Sequence, residues 1–292
     1  MSKIIIEDKE FLYQNSDIPA KNKVQDTDIN TFKNTINQEG AYTTCTYDGA
    51  GAYKCTLLGS LTAGDTVKLF VPLSNQASST DSNITISIDG GTTYYNLIDK
   101  YKSFNLMASD FEYSDIYLIA VYNGTNLVAL SPDRVKNIMV LRLASDYEAP
   151  SGLNYYNLST LTSIYYQRGK RFSKGSITPT SQSSVLAGVK IGNGIDLVRT
   201  SFTSQVQNTN SSSSMYIIMY GAVCTSGGSS SNWARAGFQT IPAGNFVSLT
   251  AGECVLPVNE NDIIGLRIYK SMSTGTATVG YENRTYLTVE EV

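Results

Sequence analysis

Pro257-Val258-Asn259-Glu260-Asn261-Asp262-Ile263-Ile264-Gly265-Leu266-Arg267-Ile268-Tyr269-Lys270-Ser271 is the stretch whose reading decides the fold class. The polar Asn-Glu-Asn-Asp segment makes a turn, and the residues after it alternate with a period of two. Ile264, Leu266 and Ile268 share one face, Arg267 and Tyr269 the other, the pattern of a half-buried β-strand. Toward the C-terminus, Thr285-Tyr286-Leu287-Thr288-Val289-Glu290 sends Leu287 and Val289 one way and Tyr286, Thr288 and Glu290 the other. That strand suits a central place in a sheet. Toward the N-terminus, Met215 to Tyr220 is apolar on both faces, with Met215, Ile217 and Met219 opposing Tyr216, Ile218 and Tyr220. A sandwich with one wet face does not need this, so either a partner subunit or the domain's own loops cover the second face.

The series Val185 to Arg199, then Met215 to Tyr220, then the Asn-Asp turn and the Tyr-Leu-Thr-Val ending, resembles the jelly-roll heads of phage fibres. Those heads are similar to tumour-necrosis-factor and complement-type globular domains. The resemblance covers residues 183 to 292 and implies a homotrimer displayed at the tip of a viral appendage. A threefold assembly would bury the second face of the 215–220 strand, which makes Tyr216, Ile218 and Tyr220 trimerisation candidates.

Composition agrees with a folded β protein. The 292-residue chain is 41% hydrophobic and only 16% charged, enough for real cores and too little charge for a disordered tail. Tyr is abundant (20 residues) and, with many Ser, Thr, Asn and Gly, favours strands and turns. The expected class is mostly β: an N-terminal arm and short helix over residues 1–40, a small β shoulder domain over 41–130, a neck over 131–182, and a jelly-roll β-sandwich head over 183–292. The helix follows Thr27 or Asp28 as cap, with Ile29, Phe32 and Ile36 at spacings of three and four and Gly40 as its stop. Its stripe packs either on the next domain or around a threefold axis, so these three residues are also trimerisation candidates. In the shoulder, strand signals recur near Cys45, near Cys55 and over 66–71, 83–88, 93–98, 116–121 and 125–130. Turns at Asp89-Gly90-Gly91 and Asn123-Gly124 separate them, the latter a two-residue hairpin signal. Residues 117–130 resemble the closing hairpin of phage fibre and baseplate modules. Val135 to Leu143 fits a strand or a short helix, and periodicity does not decide. Tyr155, Tyr156, Tyr165 and Tyr166 are expected to pack in the neck.

The chemistry is defined largely by what is missing. No His is present, which excludes a Ser-His-Asp triad, a Cys-His nucleophile and any His-ligated metal. No phosphate loop, dinucleotide fingerprint or calcium loop occurs, so no catalytic residue, cofactor or metal is expected. A net charge of −3, with seven basic and seven acidic residues and no basic cluster from Phe172 onward, argues against a nucleic-acid partner. No segment approaches membrane-spanning length, and the opening residues lack a signal-peptide core. We therefore expect synthesis in a bacterial host cytoplasm and assembly into a virion, with the N-terminal region contacting other tail, baseplate or capsid proteins. Cys45 and Cys55 flank a turn and could face each other across a hairpin, yet in a cytoplasm free thiols are expected; the same holds for Cys224 and Cys254.

Recognition of a host cell-surface glycan or protein is the expected role. Trp233, Tyr269 and Tyr281 supply aromatic surface, and Asn232, Arg235 and Asn283 supply polar partners. Trp233 is either a surface anchor beside the polar 225–231 loop or a core residue at the sandwich edge. Two rivals stand beside this reading: a capsid head fibre or structural baseplate part of the same fold, and a surface-polysaccharide depolymerase using paired carboxylates.

Overall fold

The computed structural model describes residues 42–57, 59–77, 81–150, 152, 154–271, 275–280 and 284–292, the side chains of 237 and 238 excepted. The helix expected from Ile29, Phe32 and Ile36, with the rest of the N-terminal arm, lies outside the described residues. The chain divides into two compact units, 1–134 and 135–292.

The first unit contains β1 (Thr43–Thr44), β2 (Thr46–Gly49), β3 (Ala52–Lys54), β4 (Thr66–Val71), β5 (Thr85–Ser87), β6 (Tyr94–Ile98), β7 (Ile116–Tyr122) and β8 (Leu127–Ser131). They form one sheet in the order β1-β4-β7-β8-β6-β5-β3-β2. The first and last strands of that order are joined in sequence by Cys45 alone, so the sheet closes on itself as a small barrel, leaving no long free edge. Alternation drives this. In β4, Val67, Leu69 and Val71 point inward, and in β7 Ile116, Leu118 and Ala120 do, around a core that also takes Tyr53, Ile86, Leu97 and Leu127. The turn at Asp89 forms as its residue types predict. The Asp89 carboxylate accepts hydrogen bonds from the Ser87 hydroxyl and the Thr92 and Thr93 N–H groups, while Gly90 and Gly91 take positive φ. The Asn123-Gly124 signal gives a longer connection than expected: β7 and β8 are joined by four residues, with the Asn123 side chain accepting from the Thr125 and Asn126 N–H groups.

The second unit contains β9 (Ile138–Arg142), β10 (Tyr147–Ala149), β11 (Asn154–Asn157), β12 (Ser163–Arg168), β13 (Phe172–Ile177), β14 (Leu186–Ile191), β15 (Leu197–Asn208), β16 (Met215–Cys224), β17 (Ser230–Ile241), β18 (Phe246–Pro257), β19 (Ile263–Lys270), β20 (Ala277–Val279) and β21 (Tyr286–Glu291). A seven-stranded sheet runs β10-β20-β15-β21-β9-β12, with β18 also on β15. A six-stranded sheet runs β13-β14-β19-β16-β17, with β11 also on β19. Successive strands from β14 to β19 cross from sheet to sheet, apart from the β16–β17 hairpin. That is jelly-roll connectivity, with the core trapped between the two inner faces. Met139, Val198, Phe202, Leu287 and Val289 come from one sheet and Phe172, Val189, Met219, Ile264, Leu266 and Ile268 from the other.

Two expectations change here. Residues 131–182 are not a neck: β9 through β13 belong to both sheets of the sandwich, and the 135–143 run holds the strand β9 at Ile138–Arg142. Nor is β19 half-buried. It lies inside the six-stranded sheet, and Arg267 on its outer side is only 4% exposed. The C-terminal strand β21 does take an interior place, between β15 and β9. Gly188 and Gly265 stand opposite each other on β14 and β19, where a Cβ on Gly188 would fall 1.9 Å from the Ile264 carbonyl oxygen. Only glycine permits this approach.

Candidate binding surface

Each sheet of the sandwich has one face turned away from the shared core, and the two outer faces differ in chemistry. On the six-stranded sheet, register places Tyr155, Tyr269 and Ile218 side by side across β11, β19 and β16. The next row carries Asn157, Arg267, Tyr220 and Arg235. The Tyr155 ring sits centrally, 5.0 Å from Tyr269 and 5.7 Å from Tyr220 between centroids, in tilted contacts. Burial, and then the hydrogen bond with Tyr155, push the Tyr220 phenol up, while the Arg235 charge opposes that rise. Exposed Arg235 thus borders three contacting tyrosines, of which Tyr155 is the most exposed.

Below this cluster lies a buried cation. Arg267 donates from Nε to Asn157 Oδ1 (2.8 Å), from one terminal nitrogen to Asn232 Oδ1 (3.0 Å) and from the other to Ser230 Oγ (3.2 Å). All three acceptors are neutral, and the burial that lowers its pKa is only partly opposed by the nearby Cys224 and Tyr155. Asn157 is itself fixed by donating from Nδ2 to the Ser184 carbonyl at 2.7 Å. The polar row is therefore rigid, and Asn232 is committed to Arg267.

The sequence candidates separate on this surface. Tyr269 and Arg235 fall in the cluster, and Asn232 supports it from beneath. Trp233 does not join them. It stands at the bulge where β16–β17 pairing shifts, its ring lies over Gly221, and it meets Phe202 of the other sheet edge-on at 5.9 Å. It is half-buried and packs against the core, in the space that the missing side chain at Gly221 leaves open. Tyr281 and Asn283 lie outside the described residues. Sequence reasoning missed Tyr155, which was expected to pack in a neck; its signal was the Asn154-Tyr155-Tyr156-Asn157 alternation, in which Tyr156 packs on the core and Tyr155 points out.

On the seven-stranded sheet the outer face mixes exposed apolar side chains with the charged Arg142, Arg168, Arg199 and Glu290. Tyr165 and Tyr166, Val140, Tyr286, Leu197, Val255 and Phe246 share it with Ser201, Thr203, Thr250 and Thr288. Phe246 is 56% and Val255 51% exposed. Its Arg199 is paired with Glu253 at 3.7 Å. The expected trimerisation residues Tyr216, Ile218 and Tyr220 lie instead on the other sheet. Ile218 is already 6% exposed within one chain, leaving little apolar area there for a partner. Tyr216 and Tyr220 on that face are half-buried.

Among the described residues no cluster of three or more His, Cys, Asp or Glu side chains could hold a metal ion, and no helix is long and apolar enough to cross a membrane. No family model matches the chain, and no curated protein matches it. Solved structures that resemble it include murine APRIL at pH 8.5, 14% identical with a TM-score of 0.34, covering 54% of this chain and 100% of that one. The PRD1 vertex protein P5 is 13% identical with a TM-score of 0.29, covering 54% of this chain and 98% of that one. A chain of the T13 IBDV viral particle is 13% identical with a TM-score of 0.32, covering 68% and 38%. Likenesses this distant carry no argument; the protein's class, a barrel unit followed by a jelly-roll sandwich, rests on its own strand order.

Proposed function

We propose that this protein is a non-enzymatic virion appendage component, a homotrimer that presents the tyrosine face of its sandwich to a host cell-surface glycan. The observation that supports this is the contrast between the two outer faces. The exposed Phe246, Val255, Leu197, Tyr165 and Tyr166 on the seven-stranded sheet suit burial against identical copies, and the opposite sheet holds exposed aromatic rings beside an arginine, which suits sugar C–H faces and their polar groups. Modest affinity per site is sufficient, because three linked copies raise it through effective concentration.

The test is adsorption of the fluorescently labelled full chain to candidate host cells, with its mass read by light scattering. The expected result is a particle of about three times 31.8 kDa that binds saturably. Removing the Tyr155 ring should weaken that binding about fivefold or more, since each stacked ring contributes on the order of 1 kcal/mol or more. Trimers that bind none of the cells would turn the assignment to the structural capsid or baseplate role; release of reducing sugar from host envelope would turn it to the depolymerase.

A further inference from the structure

The feature outside the sandwich with chemistry of its own is the point where the barrel closes. Cys45 is the single residue between β1 and β2, and Cys55 directly follows β3. The β2–β3 register pairs Thr46 with Lys54 and Tyr47 with Tyr53, so the same ladder extended by one residue sets Cys45 opposite Cys55. The Cys45 N–H donates to the Phe70 carbonyl and the Cys55 N–H to the Ser87 carbonyl, so neither backbone bonds the other. This is a non-hydrogen-bonded antiparallel pair, in which Cα atoms stand about 4.5 Å apart. Disulfides span roughly 4.4–6.8 Å between Cα atoms. Both thiols are free and buried in one cluster, 1% and 7% exposed.

We propose that Cys45 and Cys55 are a latent cross-strand disulfide, closed by thiol–disulfide exchange with a small-molecule disulfide oxidant such as oxidised glutathione. The hydrogen bond from the Cys45 thiol to Cys55 lowers Cys55 from the ordinary thiol range against the opposing effect of burial, while the same bond and burial both raise Cys45. Cys55 is therefore the first nucleophile. Its thiolate attacks one sulfur of the oxidant, forming a mixed disulfide and expelling one glutathione thiolate. Cys45 then attacks the Cys55 sulfur, the Sγ–Sγ bond forms, and the second glutathione leaves. The protein gives up two electrons and two protons, and the oxidant departs as two thiols. Access comes from β1, whose two residues pair only with β4 and whose opening uncovers Cys45. Once formed, the bond ties the β1–β2 junction to the end of β3.

Cys224 and Cys254 serve as internal controls. They lie on β16 of one sheet and β18 of the other, and their thiols point to the Thr225 and the Trp233 and Val255 carbonyls. The full chain, reduced and then equilibrated in glutathione buffers of increasing oxidised fraction, is denatured in acid, alkylated and mapped by mass spectrometry. The expected result is loss of two alkylatable thiols, a Cys45–Cys55 peptide pair lighter by two hydrogens, and alkylated Cys224 and Cys254. Thermal unfolding should move up by about 5 °C or more on oxidation and return on adding dithiothreitol. A Cys45→Ser variant should show no such shift. Because the mapping uses the unaltered protein, the test stands even if that variant fails to fold. Four alkylated thiols at every buffer ratio, or Cys45 linked to a different cysteine, would overturn the proposal.

Discussion

Arg267 shows what a buried charge demands of its neighbours. With three neutral acceptors and no counter-ion, its guanidinium is held by hydrogen bonds alone, so each acceptor matters more than an exposed polar contact would. Asn232→Ala should leave one donor pair unsatisfied and cost about 1–3 kcal/mol, read as a lower urea midpoint with an unchanged slope. Glycine supplies the converse case. At Gly188 the obstacle is the backbone of the neighbouring strand, which cannot swing aside as a side chain can. Gly188→Ala should destabilise the second unit by about 1–3 kcal/mol or prevent its folding, measured by denaturant unfolding followed through tyrosine fluorescence. Equal stability in that variant would mean that the β14–β19 approach is looser than 1.9 Å implies.

At the scale of elements, the turn between β5 and β6 carries a pH signature. Hydrogen bonds from Ser87 first, then from the Thr93 and Thr92 backbone, hold the Asp89 carboxyl well below the usual carboxylate range. A folded pKa below the unfolded one means that the stabilisation is present above about pH 3.9 and is lost as pH falls through and below that value. Asp89→Asn keeps an acceptor oxygen but not the charge. Its Tm deficit relative to wild type should therefore be constant from neutrality down to about pH 4 and shrink as pH falls from about 4 to about 2; a deficit constant over that lower range would exclude the ionised carboxylate as the cause. Strand β9 makes a different point. Val135 to Leu143 is ambiguous by periodicity because both faces of β9 carry apolar side chains, Met139 and Leu141 in the core and Ile138 and Val140 half-buried on the outer face. Its partners lie about 20 and 150 residues away along the chain, beyond the reach of any local pattern.

For the whole molecule, assembly is the prediction that follows from the two outer faces. Phe246→Glu with Val255→Glu places two charges on the outer face of the seven-stranded sheet while leaving the core between the sheets intact. Light scattering should then give the single-chain mass, with the far-ultraviolet spectrum unchanged. The same substitutions on a particle that stays trimeric would move the subunit contact elsewhere. Substitution of Tyr155 or Tyr269 should leave the mass unaltered and lower adsorption, which separates the two faces experimentally.

The amino-acid sequence by itself determined the β class, the strands of the first unit, the inward faces of β19 and β21, and the absence of histidine chemistry. These follow from side-chain alternation and turn residues, both local properties. It also identified Tyr269 and Arg235 as candidates, because residue type alone marks an aromatic or a cation. Only the tertiary structure decided that residues 138–177 are strands of the sandwich, that Trp233 fills the space over Gly221, that Tyr155 joins Tyr220 and Tyr269, and that Cys45 faces Cys55 where a barrel closes. Each of these depends on pairings between distant segments, and register across such pairings is set by how whole faces pack against one core.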